Sequence, residues 1–169
     1  YAKGRTGTKG TIAVVGGASV KYDLVDTTEK DIDIFGGIFR GFSPAAPESS
    51  FENGTREETS LGYEAGFRYK NSPKAFSTEA ILFLTDTKDI VVRADIGDTT
   101  SGDTINGGEI RSMGLEFQAS YDPGLAKNWA VQTPMYTSFT YTDAEFTANQ
   151  GTSSGGSIFA GATDGSKVP

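Results

Sequence analysis

The residue types that usually carry chemistry are scarce in this chain, and those present are loosely spaced. There is no histidine and no cysteine, which removes disulfides, zinc sites of the Cys or His type, thiol and imidazole nucleophile pairs and imidazole acid–base catalysis together. Asp95, Asp98 and Asp103 lie close together in ADIGDTTSGDTING and offer oxygen ligands to a hard cation. Their spacing is not that of a calcium loop, and a solvated acidic stretch is the better reading. Gly36-Gly37-Ile38-Phe39-Arg40-Gly41 has glycines, but neither the spacing nor the following helix of a nucleotide-binding turn. No triad or isolated carboxylate pair stands out, so an enzyme is the least expected class. With 15 basic against 22 acidic residues the net charge is −7, and no basic surface for nucleic acid is expected.

The elements that would position any site are strands. In REETSLGYEAGFRYKNSPKAFSTEAILFL, Arg56 to Leu84, the residues Leu61, Tyr63, Ala65, Phe67 and Tyr69 share one parity, while Gly62, Glu64, Gly66, Arg68 and Lys70 share the other. Such alternation marks a strand with one apolar and one polar face. Asn71-Ser72-Pro73-Lys74 is a tight turn. The next run, Ala75 to Val92, sets Phe76, Ala80, Leu82 and Leu84 against Ser77, Glu79, Ile81 and Phe83, with the even parity assigned outward.

The same unit recurs along the chain. Thr11 to Val25 places Ile12, Val14, Gly16, Ala18, Val20, Tyr22 and Leu24 on one parity, and Asp31 to Phe42 returns with a broken alternation, Ile32, Ile34 and Ile38 opposing Phe35 and Phe39. Gly108 to Tyr121 sets Met113, Leu115, Phe117, Ala119 and Tyr121 against Gly114, Glu116, Gln118 and Ser120. Thr133 to Phe146 sets Met135, Phe139 and Tyr141 against Ser138, Thr140 and Thr142. The pattern predicts no helix.

The connections alternate in length. Short turns at 26–30, 71–74 and 122–130 interleave with long polar loops at 43–55, 94–107 and from 147 onward. In an up-and-down sheet this gathers the short turns at one end and the long loops at the other, as in outer-membrane barrels with short periplasmic turns and long extracellular loops. Apolar residues outside and Glu64, Arg68, Glu116 and Gln118 inside invert the polarity of a soluble barrel. Tyr1 to Thr11 is not a signal peptide, and no run approaches the about 20 apolar residues of a membrane helix, so any crossing must be by strands. A soluble sandwich with one wet face shows similar alternation and stays open on pattern alone. Six strands do not close a membrane barrel, whose smallest single-chain members have about 8. The expectation is a piece of something larger, or assembly with copies of itself.

GGASVKYDLVD (16–26), DIFGGIFRGFSPAAPE (33–48), ETSLGYEAGFRYK (58–70), AILFLTDTKDIVV (80–92), GGEIRSMGLEFQASYDPG (107–124) and YTSFTYTDAEF (136–146) resemble consecutive strands of a TonB-dependent outer-membrane receptor, nearest in flavour to its ferric-citrate and ferric-siderophore branch. The likeness spans about residues 11–146. It implies an all-β fold, a transmembrane antiparallel up-and-down β-barrel of which residues 1–169 supply about six consecutive strands out of about 22, from the C-terminal half. It also implies localisation in the outer membrane, TonB-dependent uptake of an iron chelate, and no cofactor beyond that transported chelate. The partners implied are outer-membrane lipid, the chelate, and the TonB complex through a plug domain that this stretch lacks, with Lys167-Val168-Pro169 as entry to a further strand. The classes left beside it are a passive outer-membrane barrel or surface adhesin, and a soluble β-sandwich binding module.

Receptors of this kind bind their chelate at the outer mouth with arginines and aromatics. By that resemblance the candidate ligand-binding residues are Arg56, Arg93, Phe42 and Phe51, with Glu64, Arg68, Glu116 and Gln118 facing the lumen and plug. Tyr63, Tyr69, Tyr121, Trp129 and Tyr136 sit near strand ends, where aromatic girdles are expected. Asn53-Gly54-Thr55 matches a glycosylation sequon that has no meaning on a bacterial surface.

Overall fold

The computed structural model describes residues 12–45, 54–71, 75–93, 104–148 and 162–168. Among these residues eight strands form: β1 Gly16–Asp26, β2 Lys30–Ser43, β3 Glu58–Asn71, β4 Phe76–Lys88, β5 Val91–Arg93, β6 Thr104–Asn106, β7 Ile110–Tyr121 and β8 Met135–Phe146. Six make one antiparallel sheet in the order β1-β2-β3-β4-β7-β8, while β5 and β6 pair as a separate ribbon. Each strand of the large sheet neighbours its sequence neighbours, the arrangement that hairpins with period-2 patterning must give.

The register sorts every side chain onto one of two faces. Ile34↔Phe67, Phe67↔Ala80, Ala80↔Phe117 and Phe117↔Phe139 form one row, and Val20, Gly36, Ala65, Leu82, Leu115 and Tyr141 form the next. The even parity of β4 therefore lies with the apolar face of β3, the side to which the sequence reading assigned it although Ile81 and Phe83 oppose it. Leu82 is 61% exposed and Phe139 56%. Among the described residues only Ala75 and Phe146 are buried hydrophobics, so the sheet is a single layer whose apolar face lacks a cover of its own.

Pattern and structure differ at several places. Ile12 and Val14 lie before β1, in chain that carries no ladder, because the outer end of β2 pairs only with β3. A bulge between Asp23 and Val25 sets Val25 opposite Ile32, so Leu24 falls out of the alternation. The run from Ala75 to Val92 is broken after Lys88: Asp89 takes φ 54° and Gly108, across the hairpin, φ 113°, and the chain resumes as the β5–β6 ribbon. What reads as one polar loop over 94–107 thus has a paired stem. The turn after β7 holds one turn of helix, α1 Pro123–Ala126, which corrects the helix-free expectation. Asp122 caps it by accepting from Leu125 N at 3.0 Å, and Pro123 fills the first helical turn.

The broken alternation of β2 has a physical cause. Phe39 pairs with Gly62 and Phe35 with Gly66, and each ring lies where a side chain on that glycine would stand. Phe83 covers Gly114 in the same way. These phenylalanines belong to the polar face because they cover bare backbone on the neighbouring strand.

Candidate functional site

At the long-loop end, three elements meet in a clamp. The chain enters β3 through Thr55 and Arg56, β4 hands over to Asp89, and β6 ends at Asn106. The Asn106 side chain accepts from Arg56 N at 2.8 Å and donates to Arg56 O at 2.9 Å and Asp89 O at 2.8 Å. The Arg56 guanidinium pairs with the Asp89 carboxylate, and Glu58 accepts from Val91 N at 3.2 Å. Thr55 is buried beside this cluster's strand entry. One amide side chain thus does the work of a ladder rung between the loop that leads into β3 and the ribbon that leads out of β4. The Asp89 backbone, in a conformation aspartate tolerates, turns the ribbon towards it.

The apolar face ends at this same level in a charged collar. Arg111 holds Asp86 with two contacts, Nε to Oδ1 at 2.7 Å and a second nitrogen to Oδ2 at 3.1 Å. Lys167 lies 2.7 Å from the Asp143 carboxylate and 3.4 Å from Glu145. At the short-turn end the face finishes in aromatics, with Tyr69 and Phe76 rings 5.9 Å apart and Tyr121 opposite Phe76. Between the Asp86 and Phe76 rows lie about 10 residues; at about 3.4 Å each and a tilt of about 45° they span about 24 Å, against an apolar band of about 25 Å in outer-membrane barrels.

The opposite face carries a charge row in one register line: Asp23, Asp33, Arg68, Glu79 and Gln118. Lys21 bridges Asp23 at 2.6 Å and the buried Asp33 at 3.4 Å. Arg68 pairs with Glu79 and lies 5.3 Å from the centre of the Phe35 ring, while Gln118 donates to Glu79 at 2.7 Å. Glu64 and Glu116 stand on the same face and form no ion pair among the described residues.

The candidates from sequence fall into two places. Glu64, Arg68, Glu116 and Gln118 share one face of the sheet. Arg56 and Phe42 lie at the long-loop end, Arg56 tied into the clamp and Phe42 exposed on β2 opposite Thr59. Arg93 ends β5 opposite Thr104, in the ribbon and apart from the main sheet. Phe51, Asp95, Asp98 and Asp103 lie outside the described residues, as do Ser72, Pro73 and Lys74 of the central turn. Reading the sequence missed Asp89 and Asn106, the members that organise the mouth. The only signal for them was Ile105-Asn106-Gly107-Gly108 closing a run that otherwise read as loop.

A single-layer meander with an exposed apolar band, a cross-linked polar face, and turns and loops sorted to opposite ends defines the wall of a membrane-spanning β-barrel. The chain matches the family model described as TonB dependent receptor-like, beta-barrel, over residues 3–166, and it belongs to that family. Proteins of this family are receptors of the outer membrane that transport rather than catalyse. Neither a search of curated proteins nor one of solved structures returned a match.

Proposed function

We propose that this chain is a segment of the barrel of an outer-membrane receptor that takes up an iron chelate, ferric citrate or a siderophore, with energy relayed from TonB through a plug domain. The supporting observation is the sheet's polarity. Its apolar face has the height of a membrane's hydrocarbon layer and ends in a charged collar at the level of the long loops, while the other face is built for water and for a protein filling. A soluble sandwich would need a second layer over the apolar face, and the described residues form none.

On this reading Glu64 and Glu116, lumen carboxylates that form no ion pair among the described residues, dock basic residues of the plug, and Arg68 and Gln118 complete that surface by fixing Glu79. At the mouth, Arg56, Arg93 and Phe51 contact an anionic chelate, for which arginine's fork of donors and aromatic faces are suited, while Phe42 shares the outward face of β2 with Ile34 and Ile38. Asn106 positions Arg56 there.

The test is retention of radiolabelled ferric citrate by cells carrying the receptor, with and without a proton-motive uncoupler. Accumulation that stops with the uncoupler, and falls when Arg56 and Arg93 are both changed to alanine, is the expected result. Accumulation indifferent to the uncoupler would return the protein to the passive barrels, and uptake of only uncharged ligands would remove the chelate.

A further inference from the structure

The ribbon of β5 and β6 does not continue the plane of the large sheet. In a flat hairpin β5 would lie between the entry to β3 and β6, since Val91 pairs with Asn106 and the β3–β4 ladder runs up to Thr59 opposite Lys88. Two strand spacings are about 10 Å, beyond the reach of an amide side chain. Asn106 nevertheless meets Arg56 N at 2.8 Å and Arg56 O at 2.9 Å, so the ribbon folds across the start of β3. The bend is made at one level, where Asp89 takes φ 54° and Gly108 φ 113°, and pairing resumes beyond it with Ile90 N donating to Gly108 O at 3.0 Å. Its direction follows from Glu58. That residue shares its parity with Ser60, Gly62 and Glu64 on the lumen face of β3, and its carboxylate accepts from Val91 N at 3.2 Å. The ribbon therefore lies over the lumen side of the mouth.

We infer that this ribbon is a sill, held inward over the top of β3, that limits the size of solute reaching the lumen wall, and that Glu58 and Asn106 are the positioning residues that hold it. The inference rests on the barrel reading and adds a selection step to it, because the entrance is narrowed before any ligand binds. Three contacts secure the ribbon from different directions. Asn106 ties it to Arg56 and, through Asp89 O at 2.8 Å, to its own bend; Glu58 holds β5; and the Arg56–Asp89 ion pair closes the corner. Neither Asn106 nor Glu58 is needed by the ladder of the large sheet, whose bonds are backbone to backbone. Their side chains instead satisfy backbone groups that the bend takes out of the ladder. A compact anionic chelate passes such a sill, and a solute of polymer size does not.

The test uses the complete receptor in intact cells and needs no ligand. Ser60→Cys places a thiol on the lumen face of β3 next to Glu58, and Thr142→Cys places one on the same face of β8, three strands away. Each is treated from outside with a small charged maleimide and with a maleimide on a long poly(ethylene glycol) chain. This stretch has no cysteine of its own, and the receptor without either change supplies the background. Ser60→Cys is expected to react with the small reagent and to exclude the large one. Adding Asn106→Ala is expected to raise its reaction with the large reagent about tenfold, the shift given by about 1.4 kcal/mol of lost hydrogen bonding. Glu58→Ala should act likewise, while Glu58→Gln, which still offers an oxygen to Val91 N, should keep the large reagent out. Thr142→Cys should respond to none of the three, which separates release of the ribbon from a loosened barrel. Equal reaction of Ser60→Cys with both reagents overturns the sill, as does continued exclusion in both alanine variants. A response at Thr142 equal to that at Ser60 overturns it too, and loss of exclusion in Glu58→Gln removes the Val91 contact as its cause. Thiols at both sites that react only after the cells are broken would sink the outer-membrane reading and the sill with it, whereas absence of ferric-citrate uptake would touch the chelate alone.

Discussion

The two faces of the sheet are made by the same strands, residue by residue in alternation, yet they are held together by different physics. On the lumen face the side chains satisfy one another: Lys21 spans Asp23 and Asp33, Arg68 joins Glu79 and the Phe35 ring, and Gln118 closes on Glu79. On the lipid face the ion pairs among the described residues lie in the outer collar, at Asp86 with Arg111 and at Lys167 with Asp143 and Glu145. Below the collar, Leu82, Phe117 and Phe139 stand exposed with no layer over them. The lumen face therefore carries its specificity in contacts within the chain, whereas the lipid face takes its stability from the solvent it meets. Substitutions should be judged by face before they are judged by chemistry.

The largest expected effect tests that division directly. Leu82→Arg, in the middle of the band, should destabilise the protein in phospholipid vesicles by about 2–4 kcal/mol, the cost of a cation at the midplane of a barrel's lipid face. Thr140→Arg, on the other face and exposed, should stay within about 0.5 kcal/mol, as is usual for surface changes away from special features. Urea unfolding in vesicles reads both. Equal losses would mean that the faces do not meet different solvents, and the comparison would collapse.

A smaller effect sharpens the view of the lumen face. The Phe35 ring occupies the space over Gly66, so Gly66→Val must push the ring off the backbone and away from Arg68. Overpacking of this sort costs about 1–3 kcal/mol. The double variant Phe35→Ala/Gly66→Val should recover part of that loss, because the valine then covers the backbone itself, and coupling between touching residues is about 0.5–3 kcal/mol. Simple additivity of the two changes would show that ring and glycine do not share the site.

That pair also shows which features were legible in the sequence. The alternation of Leu61 to Tyr69, Met113 to Tyr121 and Met135 to Tyr141 carried the strands, their faces and, through the turn and loop lengths, the two ends, because period-2 patterning is local. The broken pattern at Phe35 and Phe39 was not readable as rings covering glycines, since Gly66 and Gly62 belong to the next strand and only the register brings them opposite. The mouth was half legible. Arg56 stood out by type and place, but its partners did not, because the bonds from Asn106 to Arg56 span fifty residues and Asn106 sits in a run of turn-forming residues. The helix turn at Pro123–Ala126 is too short for periodicity to register, although Asp122-Pro123 is a cap signal.

The smallest effect is silent at neutral pH and belongs to the turn where both faces end. The Asp122 carboxyl is held below its ordinary value, chiefly by the N–H of Thr133, with the N–H groups of Leu125 and Gly124 adding to it against the opposing pull of desolvation. A carboxylate whose value is lowered by folding contributes stability that is fully present above its unfolded value of about 3.9, and that stability is lost as pH falls through the lower folded value. The fluorescence of Trp129, which the turn holds in place, should therefore be flat from neutral pH to about 4 and change only below that. Asp122→Asn retains an oxygen that accepts from Thr133 and Leu125 but carries no proton to gain, so its signal should lack the acid step. An acid step of the same midpoint in both proteins would assign it to another carboxylate and leave the turn held by its backbone bonds alone, with the charge on Asp122 irrelevant to it.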